Sequence, residues 1–162
     1  MLNSDHKDRY PDLDRISCDP RMARLLFRAY YDEMTTVATY TYHSLQLTNL
    51  APHIASLFES ISMTEMRHFR LLGTAIQCLG GNPHIQIDLR VPSYELCRST
   101  SAQRKETTIR QTVRTAITAE QTAAWEYRAL AVKTHDPVLK QLLCTLAADE
   151  EEHADMLKNL CG

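Results

Sequence analysis

The chain has 162 residues, a formal charge of −2 and 44% hydrophobic residues, enough for one domain with a buried core. Near-neutral charge leaves no basic face for nucleic acid or an anionic membrane. No apolar run approaches the ~18 residues that a membrane-crossing helix needs, and the opening Met1-Leu2-Asn3-Ser4-Asp5-His6 is too polar for a secretory leader, so a cytoplasmic location is expected.

Only four Gly are present, and the Ala, Leu, Thr, Arg and Glu that dominate suit long helices. Residues 1–18 are polar and aperiodic and are expected to form an N-terminal arm ahead of one domain over 19–162. Asp19-Pro20 pairs a helix N-cap with Pro at the first helical position. The spacing then predicts a helix to about Gln46, with Leu26, Tyr30, Glu33, Val37 and Tyr40 on one face. Pro52 opens a second helix whose inner face carries Leu57, Ile61, Glu65, His68 and Leu72, and Gly80-Gly81-Asn82-Pro83 ends it.

Over 84–100, Ile85, Ile87, Leu89 and Val91 alternate and Pro92 follows. A short strand there has no evident partner, so the stretch reads as an extended crossover. A third helix is expected from about Ser101 to His135, with Ile109, Val113, Ala116, Glu120, Ala124 and Tyr127 aligned. Asp136-Pro137 repeats the start signal, and a last helix to about Leu160 aligns Leu143, Leu146, Glu150, His153 and Leu157. The expected fold is all-α: two antiparallel helical hairpins with short turns, joined by one long connection, as a four-helix bundle.

The chemistry lies in a pattern that occurs twice. Glu33 precedes Glu65-Met66-Arg67-His68, and Glu120 precedes Glu150-Glu151-Glu152-His153, at nearly constant offset along the chain. Residues three apart share a helix face, so Glu33, Glu65, His68, Glu120, Glu150 and His153 can all point inward. Composition predicts roughly 0.4 Glu-x-x-His by chance, and two occur, each in the second helix of a hairpin. Four carboxylates in a core would carry −4, at several kcal/mol each. Two divalent ions cancel that charge, and carboxylate with imidazole suits iron or manganese, with zinc possible.

Tyr40 and Tyr127 each follow their lone Glu by seven residues, two helical turns, on the same face. Each phenol is placed to hydrogen-bond a carboxylate of the opposite hairpin. Asp149, directly before Glu150, is placed to orient His68 across the bundle, with Thr64 the matching residue of the first half. His6, His43, His53, His84 and His135 fall off the inner faces and read as surface residues; Trp125 and Glu126 point elsewhere. Cys18, Cys78, Cys97, Cys144 and Cys161 form no Cys-x-x-Cys pair and read as free thiols.

At these residues the chain resembles the ferritin-like superfamily, specifically the erythrin part of rubrerythrins and the manganese catalases, over about residues 20–160. Tyr10-Pro11 through Cys18-Asp19-Pro20, Glu33 with Tyr40, and Ala119-Glu120 with Tyr127 resemble small manganese-catalase-like proteins. The rubrerythrin resemblance implies that all six residues bind metal, with Glu65 and Glu150 bridging. The manganese-catalase resemblance implies that Glu65 bridges while Glu150 is an acid/base catalyst. Two features depart from rubrerythrins: Ala123 stands where they carry a further ligand Glu, and no rubredoxin-type cysteine module is present. The resemblance also implies a homodimer.

The expected function is a dinuclear manganese or iron oxidoreductase that decomposes hydrogen peroxide. The alternatives are a ferroxidase or iron-binding protein, with oxygen as the small-molecule substrate, and a protein whose metal site serves stability alone. No nucleic-acid or membrane partner is expected.

Overall fold

The computed structural model describes residues 9–86 and 102–160, with side chains placed from 109 onward in the second segment. Four helices carry the fold: α1 (Pro20–Leu47), α2 (Pro52–Cys78), α3 (Ala102–Lys133) and α4 (Pro137–Lys158). One turn of 3₁₀ helix (Leu13–Arg15) precedes them, and no strand occurs among the described residues. The helices pack as two antiparallel hairpins, α1 with α2 and α3 with α4, with α1 beside α3 and α2 beside α4. This is a ferritin-like four-helix bundle.

Helix ends follow local chemistry. Asp19 accepts from the backbone N–H of Arg21 at 3.0 Å and Met22 at 3.2 Å. Asp136 accepts from Val138 and Leu139, both at 2.9 Å. Each Asp satisfies donors that a helix start leaves orphaned, and the following Pro lacks one of those donors. At the end of α2, Gly80 adopts φ +86°. That left-handed turn lets Gly80 N–H reach Gln77 O at 2.9 Å and Gly81 N–H reach Ile76 O at 2.8 Å, closing the last turn in a Schellman arrangement.

The inner face of α2 differs from its expected line at one position. Phe58 is fully buried while Leu57 stays half-exposed at the edge, because the larger ring fills the space beside Tyr40 at a centroid distance of 5.2 Å. His43 likewise leaves the surface set: it is half-buried against Phe58, and burial pushes its pKa down. His53, His84 and His135 are exposed; His6 lies outside the described residues. Cys18, Cys78 and Cys144 are free thiols, while Cys97 and Cys161 lie outside the description.

Two apolar clusters fill the bundle. One, built on Leu26, Tyr30, Leu72, Leu79, Leu139, Leu142, Leu143 and Leu146, occupies the end nearest the start of α1. The other, built on Tyr40, Phe58, Ile61, Val113 and Leu157, occupies the opposite end. The polar residues of the doubled motif lie between them.

The described part of the arm is docked on the bundle. Leu13 and Ile16 are buried in the first cluster, Ser17 N–H donates to Asp136 Oδ2 at 2.8 Å, and Asp19 N–H donates to Leu79 O at 3.1 Å. Two apolar residues three apart are too few to register as a periodic element, so the sequence conceals this packing. Of the connection between hairpins, residues 82–86 lack regular secondary structure, and Ile85 packs half-buried on the core. The alternation at Ile87, Leu89 and Val91 lies outside the described residues.

Candidate metal centre

Glu33 from α1, Glu65 and His68 from α2, Glu120 from α3, and Glu150 and His153 from α4 converge at mid-bundle, none more than 5% exposed. Helical phase accounts for this. Each Glu-x-x-His presents both side chains to one face, and the leucines and isoleucines at neighbouring turns hold that face inward.

The arrangement has two halves around two shared carboxylates. His68 Nδ1 lies 2.8 Å from Glu65 Oε2, 3.0 Å from Glu150 Oε1 and 3.9 Å from Glu33 Oε1. His153 Nδ1 lies 2.8 Å from Glu65 Oε1, 3.1 Å from Glu150 Oε2 and 3.4 Å from Glu120 Oε2. Glu65 and Glu150 therefore each turn one oxygen toward each imidazole. One ligand atom from each of Glu33, Glu65, His68 and Glu150 lies within 4.8 Å of the others, and the same holds for Glu65, Glu120, Glu150 and His153.

Protons satisfy these groups only in part. A ring nitrogen carries at most one proton, an ionised carboxylate accepts only, and each Nδ1 faces three carboxylate oxygens. Glu65 Oε1 and Glu150 Oε1 are buried, and each has within reach only a ring nitrogen that two other carboxylate oxygens also face. A divalent cation in each half is the chemistry that such convergent acceptors fit.

Behind the cluster, each lone Glu receives a phenol from the other hairpin. Tyr40 OH donates to Glu120 Oε1 and Tyr127 OH to Glu33 Oε1. Asp149 Oδ2 lies 3.2 Å from His68 Nε2. Asp149 is in turn held by two arm residues: Tyr10 OH donates to Oδ2 at 2.5 Å, and Arg9 Nη2 pairs with Oδ1 at 2.6 Å. Arg9 and Tyr10 escape sequence reasoning because their direction depends on how an aperiodic segment docks. Their signals are nearness to the short apolar pair Leu13 and Ile16 and, for Tyr10, its place in the segment that carries the family resemblance.

Burial and crowding pull the titrations apart. Burial, reinforced by the charges of Glu65 and Glu150, pushes Glu33 well above the usual carboxylate range. Burial also raises Glu120, to about 8, despite the opposing hydrogen bond with His153. His153 goes the other way: burial disfavours its charge, but hydrogen bonds to Glu120, Glu150 and Glu65 prevail and raise it to about 12. His68 is held well above its ordinary value by Asp149, Glu150 and Glu65, again against burial. Burial would raise Glu65, yet the two imidazoles it bonds hold it low. In the metal-free protein, protons thus occupy the charge positions that cations would take.

Access is narrow. A cleft of ≈ 50 Å³ between α1 and α3, walled by Ala29, Thr36, Ala119 and Ala123, reaches Glu33, Glu65, Glu120 and Glu150. Asp32 lines it as well, and so does Glu126, against the expectation that it points elsewhere; both are only half-buried. Its size suits water, oxygen or peroxide rather than a metabolite. Trp125 is 69% exposed and takes no part. Among the described residues no helix is long and apolar enough to cross a membrane.

A family model for rubrerythrin matches residues 24–161. Among solved structures, Mycobacterium tuberculosis bacterioferritin BfrA is similar at a TM-score of 0.70 and 25% identity, over 90% of this chain and 87% of that chain. Curated protein sequences give no match. The family match spans both Glu-x-x-His motifs and nearly all of the bundle that presents them, and the chain belongs to the rubrerythrin family.

Proposed function

We propose that the chain is a dinuclear manganese or iron oxidoreductase that decomposes hydrogen peroxide. The observation that carries this reading is the division of Glu65 and Glu150 oxygens between two imidazoles, which suits a pair of bridged cations. Glu33, Glu65, His68 and Glu150 would hold one ion, and Glu65, Glu120, Glu150 and His153 the other. When bound, the pair supplies electron exchange and Lewis acidity.

The chain's own residues do the rest. The Ala-lined cleft admits a molecule of two heavy atoms and excludes larger reductants. Glu150 lines that cleft as well as facing both imidazoles; in the arrangement the manganese-catalase resemblance implies, where Glu65 alone bridges, its carboxylate would be free to take or return a proton. Tyr40 keeps Glu120 oriented by donating to Oε1 while Oε2 faces His153, and Tyr127 holds Glu33 through Oε1, the oxygen that also faces His68.

One observation favours a second reading, in which ferrous iron is the substrate of a ferroxidase. Asp32, ion-paired with Arg28 at 2.8 Å, and Glu126 leave one net negative charge along the cleft, where a cation would enter, and one structural neighbour is a bacterioferritin. A purely structural metal site is the third. The discriminating assay loads the protein with manganese or iron, adds peroxide without reductant and follows oxygen. Steady evolution supports peroxide dismutation. Consumption of ferrous iron under oxygen, without that evolution, supports the ferroxidase, and silence in both leaves the structural role. A cytoplasmic homodimer completes the proposal, checked by light scattering on the purified protein.

A further inference from the structure

The two halves of the cluster match in their carboxylates but not in what stands behind the imidazoles. His68 has Asp149 at its far nitrogen, and Asp149 is 3% exposed, clamped by Tyr10 at 2.5 Å and Arg9 at 2.6 Å. The residue matching Asp149 in the first hairpin is Thr64, whose hydroxyl donates to Ser60 O of its own helix at 3.4 Å. Among the described residues no carboxylate lies behind His153 Nε2, and His153 borders an open groove between α2 and α4 instead.

We infer that Arg9 and Tyr10, acting through Asp149, make the two cation positions unequal, with the His68 position binding more tightly and the His153 position exchanging. The inference rests on the reading of the cluster as a two-cation site. Its physical basis is local. A carboxylate on the far nitrogen fixes the proton at Nε2, leaves the Nδ1 lone pair aimed at the cluster, and makes it a stronger donor. Removing such a partner typically weakens metal binding 10–100-fold. The Oδ2 atom accepts from both Tyr10 and His68, while Oδ1 takes the guanidinium of Arg9, so Asp149 has little freedom to turn away. The arm that delivers the clamp is itself anchored, by burial of Leu13 and Ile16 and by the Ser17 contact to Asp136. Arg9 and Tyr10 are thus positioning residues for one half of the site only.

The experiment is a titration of the metal-free full chain with diamagnetic zinc(II), in competition with a chelating indicator, while the ring N–H resonances of the two histidines are followed by NMR. The expected result is two ions per chain, bound in steps at least about tenfold apart, with the first equivalent shifting His68 more than His153. Asp149→Asn should weaken the His68 position about 10–100-fold and leave the affinity of the His153 position unchanged, so that the order in which the two histidines respond levels or reverses. Tyr10→Phe should weaken the same position less. Thr64→Asp, which places a carboxylate behind His153, should strengthen the second step, a gain that damage to the fold cannot mimic. Equal steps in the unaltered chain overturn the inference, as does an Asp149→Asn loss of equal size at the His68 and His153 positions in a protein of unchanged helical content. Failure to bind any zinc, manganese or iron overturns the two-cation reading beneath it as well.

Discussion

Tyr127 shows how much one hydroxyl does here. It is 1% exposed, and its phenol is the donor to Glu33, a carboxylate that burial and two neighbouring charges already strain. Tyr127→Phe removes that donor without opening a cavity, and should cost about 1–3 kcal/mol of metal-free stability, read from urea denaturation. A second prediction follows from the raised pKa values. Glu120 binds its proton more tightly folded (about 8) than at its ordinary 4.5, and His153 likewise (about 12 against 6.5). Their stabilisation is fully present below the ordinary values and is lost as pH rises through the folded ones. Melting of the chelator-treated protein should therefore fall from pH 6 to pH 9, since the opposite contribution of Glu65 is lost only at acid pH. A flat or rising trend overturns the assignment. At this scale the sequence was readable wherever helical phase fixes direction: the six convergent residues, both tyrosines and Asp149 follow from spacing along a helix. Arg9 and Tyr10 were not, because no period governs where an arm residue points.

Among the elements, the Asp-Pro starts of α1 and α4 were legible since capping is a contact between near neighbours in sequence. Asp136 also ties down the arm, so one carboxylate serves Val138, Leu139 and Ser17. Asp136→Ala should cost about 1–2 kcal/mol in chemical denaturation and should loosen the arm, seen as faster amide exchange at Ser17. The exchange of Leu57 for Phe58 on the α2 face was not legible, because the choice depends on the ring of Tyr40 across the hairpin. On α3, Ala119 and Ala123 keep the cleft open. Ala123→Phe fills it, and should lower peroxide turnover at least about tenfold, equivalent to about 1.4 kcal/mol on the barrier. The metal content, measured by plasma emission, should not change. Full turnover in that variant places the entry route elsewhere.

For the molecule as a whole, four buried carboxylates and two imidazoles between two apolar clusters would couple folding to the proposed cation binding. Loading with manganese or iron should raise the melting temperature, and chelation should reverse the gain. A metal-free protein as stable as the loaded one at pH 7 overturns the centre. The bundle and its single long connection were readable from element lengths alone. Which helices lie side by side was not, since α1 beside α3 and α2 beside α4 is a matter of packing between distant segments.

The sharing of Glu65 and Glu150 between both halves has a consequence for synthesis on the ribosome. The α1–α2 hairpin emerges first with Glu33, Glu65 and His68, yet it lacks the Glu150 that completes its set. The Tyr10 contact to Asp149 spans 139 positions. No cation would meet its full complement of donors until α4 has left the exit tunnel, so the nascent first hairpin would offer a metal three donors of four and hold it less tightly than the finished chain.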